Sequence, residues 1–400
     1  MTLLLLTAAW CKKHKAPPPL ALTVDHGLRP ESSLESTRVA AWARAESIPH
    51  ETLLWTGKKP TQNIQAHARE ARYRLIGERM RASGVSILLT GHTLDDQAET
   101  FLLRLARGSG LDGLSAMASI APFPIAGFHD LKIARPLLNV SHTRLEATLK
   151  KLGQQWLSDP SNTNDRFARI KIRNATAVLQ DAGLTNERIA SAATNLARAR
   201  DAIETAVAEL LATAVNATPW GYALIDALRF SAAPREVALR ALARLIEAVG
   251  GGAYPPRFEQ TEAALDWLVT PHAKPTGRTL GGCRLARRGA KTILATREEA
   301  ALAKEAPGVT IDPGATTLWD RRFLIAVPKS AKGRVEVRCL GAEGLKAAGR
   351  AVQLPPVEPR RIAAALPALW RQERLVAAPL IAFAGEEPAI SARFVGFGGT

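Results

Sequence analysis

The stretch Gly91-His92-Thr93-Leu94-Asp95-Asp96-Gln97-Ala98-Glu99-Thr100 concentrates the groups best suited to chemistry. On a helix, Asp95 lies four residues before Glu99 and Asp96 three before it, so the three carboxylates crowd one end. His92 falls in the preceding turn, close enough to join them. Carboxylates placed there can hold a cationic group or accept a proton. Acidic residues in a first helical turn are also favoured by the helix dipole, each by roughly 0.3–1 kcal/mol, with no function required. Three of them with a histidine, directly after an apolar run and a glycine, exceed what that effect asks for.

A second constellation runs from Asp159 to Arg173. Its first half, Asp159-Pro160-Ser161-Asn162-Thr163-Asn164-Asp165, is turn chemistry built on local side-chain to backbone bonds. Its second half sets Arg166, Arg169, Lys171 and Arg173 close together with no acid among them. Guanidinium forks match phosphate and carboxylate, so the cluster suits an anionic ligand, although a solvated basic helix face has the same pattern.

These groups need elements to hold them. Val85-Ser86-Ile87-Leu88-Leu89-Thr90 reads as a buried strand ending at Gly91, and Thr93 onward as a helix carrying Leu102, Leu103 and Leu105. Leu20 to Val24 reads as a strand ended by Asp25-His26-Gly27, Glu31 to Ser47 as a helix, and Glu51 to Trp55 as a strand. Asn63 to Arg81 is a long helical pattern, and Leu131 to Ala134 a further strand. Strand and helix in alternation predict an α/β fold with a doubly wound parallel sheet. Ligands bind beyond the carboxyl ends of such strands, where His26, Gly91 and the acidic cluster fall.

The texture changes after Ser141. Helical patterns cover Asn139 to Gly153 and Asn174 to about Val249, and Gly250-Gly251-Gly252 predicts a flexible break. After Pro271 short strands are expected: Arg278 to Leu285 and Lys291 to Ala295 as a hairpin around Arg288-Gly289, then Trp319 to Val327 and Val335 to Cys339. Leu354 to Pro359 is expected as a surface loop.

Composition narrows the partners. Four hundred residues ask for two or three domains, and 46% hydrophobic residues allow sizeable cores. A net charge of +16, with a pI near 10.2, is expected where a polyanion binds, and the arginine-rich stretches favour nucleic acid over a membrane. Cys11, Cys283 and Cys339 are too few and too scattered for a disulfide framework, a CxxC pair or a cysteine-built zinc site, which fits a reducing cytoplasm. The apolar run Thr2 to Trp10 carries its lysines after it rather than before, unlike a secretory signal, and is too short to span a bilayer. It reads as the body of a buried amphipathic helix with its beginning cut away.

Four segments, in order and spacing, resemble the tRNA(Ile)-lysidine synthetase family of the PP-loop ATP pyrophosphatase superfamily. They are Val24 to Ser32, Gly91 to Thr100, Arg107-Gly108-Ser109-Gly110-Leu111-Asp112-Gly113-Leu114, and Asp159 to Arg173. The resemblance is strong over about residues 1–175, one of layout to about 300, and loose beyond. It implies a catalytic ATP-binding domain at 1–175, a helical substrate-binding domain with a terminal hairpin at 176–300, and a small mixed α/β tRNA-binding-like region at 301–400. The implied reaction joins free L-lysine to the wobble cytidine of tRNA(Ile) with a CAU anticodon, using ATP with Mg²⁺. Asp96 and Glu99 would bind or activate the lysine, and Arg72 and Arg173 would act on phosphate or adenylate. Val24, His26, Gly91, His92 and Asp95 would form the nucleotide site. Arg166, Arg169 and Lys171 would meet tRNA or phosphate, with the catalytic arginine among 166, 169 and 173 left open. The family also implies a cytoplasmic enzyme, possible homodimers, and no role for a membrane; no metal ligands are assigned.

One departure stands out. The superfamily's S-G-G-x-D-S loop, which grips pyrophosphate through backbone N–H groups, is not in these 400 residues. Its strand would be the neighbour shared by the strands at 20–24 and 85–90, so those two are expected to lack a common partner. The expectation is that the sequence starts at an internal methionine, the alternative being a truncated, catalytically impaired tRNA-binding protein. Either way the chain as written is expected to show little ATP-dependent activity. A PP-loop 2-thiolase is the other alternative, disfavoured by the absence of paired cysteines.

Overall fold

The computed structural model describes the chain except for residues 29, 30, 58, 126, 158–171, 173, 174, 176, 177, 253, 271–276, 388 and 398–400. It divides into two compact units, Met1–Asp201 and Ala202–Thr400.

In the first unit, β1 (Ala21–Asp25) and β2 (His50–Leu54) pair in parallel, with Ala21 opposite His50 and Asp25 opposite Leu54. Helix α2 (Ser32–Ala45) makes the crossover that a parallel pair requires. Helix α3 (Ile64–Ala82) leads to β3 (Ile87–Leu89), which pairs in parallel with β5 (Lys132–Ala134). A short β4 (Ile120–Pro122) adds to β5 in antiparallel fashion. The alternation and the parallel pairing are therefore as the sequence pattern predicts.

The core forms where Tyr73, Ile76 and Met80 of α3 meet Phe123, Phe128, Leu131 and Ile133, with Leu22, Val24, Leu53 and Leu88 packed against them. Gly77 is needed there, because a Cβ at that position would lie 2.7 Å from the Phe128 ring. The strands nevertheless fall into separate sheets, and β1 does not pair with β3. Their residues line one cavity of about 750 Å³, together with Leu3 and Leu4. Ile87 and Leu89 are 52% and 39% exposed in consequence, although their types suit a buried strand. Helix α1 (Thr2–His14) forms as expected but is not buried, since only Thr2 and Cys11 are fully covered and Leu6 and Trp10 are exposed.

The unit continues with α4 (Leu94–Leu105), α5 (Leu111–Leu114) and α6 (His142–Lys151). Helix α7 (Asn186–Ala214) contains the boundary with the second unit.

In the second unit, the expected helical run to Val249 is broken by β6 (Val215–Ala217) and β7 (Ala223–Asp226). The break comes at Thr218-Pro219-Trp220-Gly221, where Gly221 adopts φ +71 and a Cβ would lie 2.7 Å from the Phe323 ring. Helix α8 (Ala227–Ala232), α9 (Arg235–Gly250) and α10 (Phe258–Val269) follow. They bury Leu242, Leu245, Ile246, Val249 and Leu268 against a sheet of β6, β7, β10 (Thr292–Arg297), β9 (Cys283–Arg288) and β8 (Gly277–Leu280), in that order.

Two expected strands are split by turns. Arg278 to Leu285 becomes β8 (Gly277–Leu280) and β9 (Cys283–Arg288), because Gly281 and Gly282 both take positive φ, as a two-residue hairpin turn requires. Strand β10 (Thr292–Arg297) then returns beside β9. Trp319 to Val327 becomes β12 (Thr316–Trp319) and β13 (Phe323–Ala326), turning at Asp320-Arg321 with φ of 50 and 51. Asp320 holds that left-handed turn by accepting from Arg322 Nε at 2.7 Å and Arg297 Nη2 at 2.9 Å, all three side chains being at most 2% exposed.

Gly250 to Gly252 is close packing rather than a flexible break. Gly251 caps α9, and a Cβ on Gly250 would fall 2.2 Å from the Gly281 carbonyl oxygen. Beyond these, β11 (Val309–Ile311) precedes the hairpin, and β14 (Val335–Cys339) forms where expected, followed by β15 (Pro367–Arg371) and β16 (Arg374–Ala377).

Candidate active site

The acidic cluster sits where a strand meets a helix N-terminus. Thr93 has extended backbone, which ends the strand segment and lets its hydroxyl face the first turn of α4. Thr93 Oγ1 accepts the Asp96 N–H at 3.3 Å, while Asp96 Oδ2 accepts the Thr93 N–H at 2.8 Å and its hydroxyl at 2.9 Å. This reciprocal cap satisfies two backbone donors that the helix start would leave open. It also fixes the Asp96 carboxylate in one orientation.

Asp95 is held differently. Its Oδ2 accepts the His142 N–H at the start of α6 at 2.6 Å, and its Oδ1 accepts Asn186 Nδ2 at 2.8 Å. Glu99, one turn further on, is 8% exposed, which for a carboxylate requires hydrogen-bonding or charged company. His92 shares a 2.9 Å hydrogen bond with Thr90 Oγ1 through Nδ1. Gly91 opens on the 750 Å³ cavity, and a Cβ there would meet nothing within 4 Å.

A second group lies at the ends of β1 and β2. His26 Nε2 accepts from Arg72 of α3, with Nη2 at 3.3 Å and Nε at 3.4 Å. The proton of the neutral ring is then on Nδ1, which is buried with no partner among the described residues. Burial first, and then the Arg72 charge, push the His26 pKa below its ordinary 6.5, so the ring is neutral at pH 7. Asp25 accepts from Ser32 Oγ at 2.6 Å and the Gly27 N–H at 2.9 Å, and these bonds lower its pKa. Val24 is half-buried at the end of β1, in register with Leu53.

The structure thus gathers Thr93, Asp95, Asp96 and Glu99 on α4 and joins His26 to Arg72. Arg166, Arg169, Lys171 and Arg173 lie outside the described residues. Sequence reasoning missed Asn186 and the N-terminus of α6 as partners of Asp95. It also missed Gln97, whose side-chain amide bonds both the N–H and the carbonyl of Met117 at 2.8 Å. With Arg104 on the Gly113 and Ala116 carbonyls, Gln97 pins the loop that follows the Arg107 to Leu114 segment. Only Thr93 carried a readable signal, a capping residue three before an acid.

Comparison with known proteins identifies the family. The PP-loop domain family matches residues 1–179. A protein named tRNA(Ile)-lysidine synthase from Ruegeria pomeroyi is 38% identical over 362 residues, 90% of this chain and 81% of that one. Proteins of the same name from Methylobacterium nodulans and Wolbachia pipientis wMel are 42% and 36% identical, covering 67% and 81% of this chain and 79% and 73% of theirs. No described helix is long and apolar enough to cross a membrane. With a PP-loop domain at its start and relatives of one name along most of its length, this chain belongs to the tRNA(Ile)-lysidine synthase family.

Proposed function

We propose that the protein joins the ε-amine of free L-lysine to C2 of the wobble cytidine in tRNA(Ile) with a CAU anticodon. ATP, as co-substrate, transfers AMP to the cytosine 2-carbonyl oxygen and releases pyrophosphate. The lysine nitrogen then forms the new bond to C2 as the bond from C2 to the oxygen of AMP breaks.

The observation that carries this reading is the pairing of Asp96, oriented by Thr93, with a buried Glu99 one turn later at the end of β3. Two carboxylates so placed hold the lysine amine and take its proton, which must leave for nitrogen to attack. Asp95 acts as a positioning residue, bracing the start of α4 against α6 and α7. Arg72 and Arg173 offset charge on phosphate, and Arg72 is itself oriented by His26. Val24, His26, Gly91 and His92 border the nucleotide, where the buried Nδ1–H of His26 suits an acceptor. Arg166, Arg169 and Lys171 face tRNA or phosphate.

Mg²⁺ enters with the triphosphate, held by phosphate oxygens and water. Among the described residues no group of three or more His, Cys, Asp or Glu is arranged to hold a metal. We assign residues 1–175 to catalysis, 176–300 to substrate binding and 301–400 to tRNA contact, in a cytoplasmic enzyme that can form a homodimer. The net charge of +16 serves the tRNA backbone. The test is incorporation of radiolabelled lysine, with ATP, into a CAU-anticodon tRNA(Ile) transcript by a form of the protein that carries the S-G-G-x-D-S loop. Label is expected there and not in a transcript whose wobble base is uridine. Tight tRNA binding with no label in either would make the protein a binder instead.

A further inference from the structure

Beside the His26–Arg72 pair lies a groove of about 490 Å³ that no catalytic step above uses, lined by Trp55, Lys59, Pro60, His67, Glu70 and Arg74. We infer that this groove receives one unstacked base of single-stranded RNA on the Trp55 ring, with Lys59 and the exposed cations of α3 taking the adjoining phosphates. The inference deepens the tRNA-modifying reading and rests on it for RNA as the ligand.

Trp55 follows directly on β2, at the same carboxyl end as His26. The His26 ring meets it edge-on, with centroids 5.8 Å apart and planes at 89°. Lys59 reaches back over the indole, its Nζ 4.1 Å from the ring centroid, and donates to the Trp55 carbonyl. Trp55 therefore presents an aromatic ring under Lys59, a side chain that can be displaced. A half-buried cation–π contact at the groove is weaker than a stacked base, so an entering base displaces the ammonium and leaves it beside the strand.

The far wall is α3. His67, Glu70 and Arg74 recur at helical spacing on one face, and all three are exposed. Glu70 pairs with Arg74, so it holds that guanidinium over the groove. From His67 to Arg74 the face runs about 10 Å, longer than one triphosphate and suited to successive backbone phosphates. An aromatic platform within a basic track is how single strands are held without sequence reading. A protein partner would call for a contiguous apolar patch, and this groove offers one ring.

The source of the base could also be the adenine of ATP, and the test separates the two. Binding of the 400-residue chain to a labelled CAU anticodon stem-loop, to a fully paired RNA hairpin and to ATP is measured for Trp55→Ala, Trp55→Phe and Lys59→Ala. Trp55→Ala is expected to weaken stem-loop binding about tenfold and Trp55→Phe to restore most of it, with hairpin and ATP binding unchanged. Lys59→Ala is expected to flatten the salt dependence of stem-loop binding. Stem-loop binding by Trp55→Ala equal to that of the unsubstituted chain overturns the inference. So does a loss confined to ATP, which would make the groove an adenine site. If Trp55 governs stem-loop binding yet no lysine is ever joined to tRNA, the groove stands and the catalytic reading falls.

Discussion

The Asn186 side-chain amide donates to Asp95 Oδ1 at 2.8 Å across 91 positions of sequence. The other oxygen of the same carboxylate accepts the first N–H of α6. The first acid of the Asp95-Asp96 pair is thus committed to holding three helices at one point, while the second is turned by Thr93 toward the strand end. Neighbouring residues of one type have separate tasks because the helix points them about 100° apart.

This division of labour predicts a coupling. Asp95→Ala is expected to destabilise the protein by about 1–3 kcal/mol, because it leaves the His142 N–H and the Asn186 amide without their acceptor. Asn186→Ala should cost less, about 1 kcal/mol. Urea unfolding of both single variants and the double variant gives the interaction energy, expected at about 1 kcal/mol. Strict additivity would show that the bond contributes nothing.

The cap at Thr93 predicts a linked loss of stability and lysine affinity. Thr93→Ala should cost about 1 kcal/mol through the unsatisfied helix start. It should also raise the KM for lysine, since the Asp96 carboxylate loses the Thr93 hydroxyl, one of the two Thr93 donors that orient it. Thr93→Ser keeps the hydroxyl and should restore both. A Thr93→Ala protein with lowered stability and an unchanged KM would separate the cap from the site.

How much of this was readable from the chain depends on the range of the interaction. The strands at 21–25 and 50–54 and the start of α4 follow local rules: short apolar runs, a glycine stop and a capping threonine. The bond from Asn186 to Asp95 was not readable because the two residues are remote in sequence. The turn at Asp320-Arg321 was unreadable for the same reason. Left-handed backbone at two non-glycine residues is unfavourable locally, and what holds it is Arg297, contributed by β10. Gly250 was misread because its tight neighbour, the Gly281 carbonyl, lies in the next hairpin. The basic cluster at Arg166 to Arg173 remains an expectation.

The cysteines give a pH signature. Burial pushes the Cys283 thiol up to about 12 from its ordinary 9.0. The unfolded thiol ionises first, so stability is full below pH 9 and is lost as pH rises toward 12, by at most about 1.4 kcal/mol per pH unit. Cys283→Ala should remove that slope from alkaline unfolding curves. In the native protein a thiol reagent should modify the half-buried Cys339 before Cys11 or Cys283, which are buried. Mass spectrometry of partly labelled protein reads the order, and early labelling of Cys283 would show that its surroundings open readily.

The most direct measurement, in a form of the protein that carries the S-G-G-x-D-S loop, is the rate at which labelled lysine is joined to CAU-anticodon tRNA(Ile) by a variant with Asp96→Asn and Glu99→Gln. These substitutions keep size and hydrogen-bonding capacity and remove both bases. The rate is expected to fall about 100- to 10,000-fold relative to the unsubstituted protein, with tRNA binding unchanged. Lysine transfer at the unsubstituted rate would contradict the assignment of these two carboxylates to the amine.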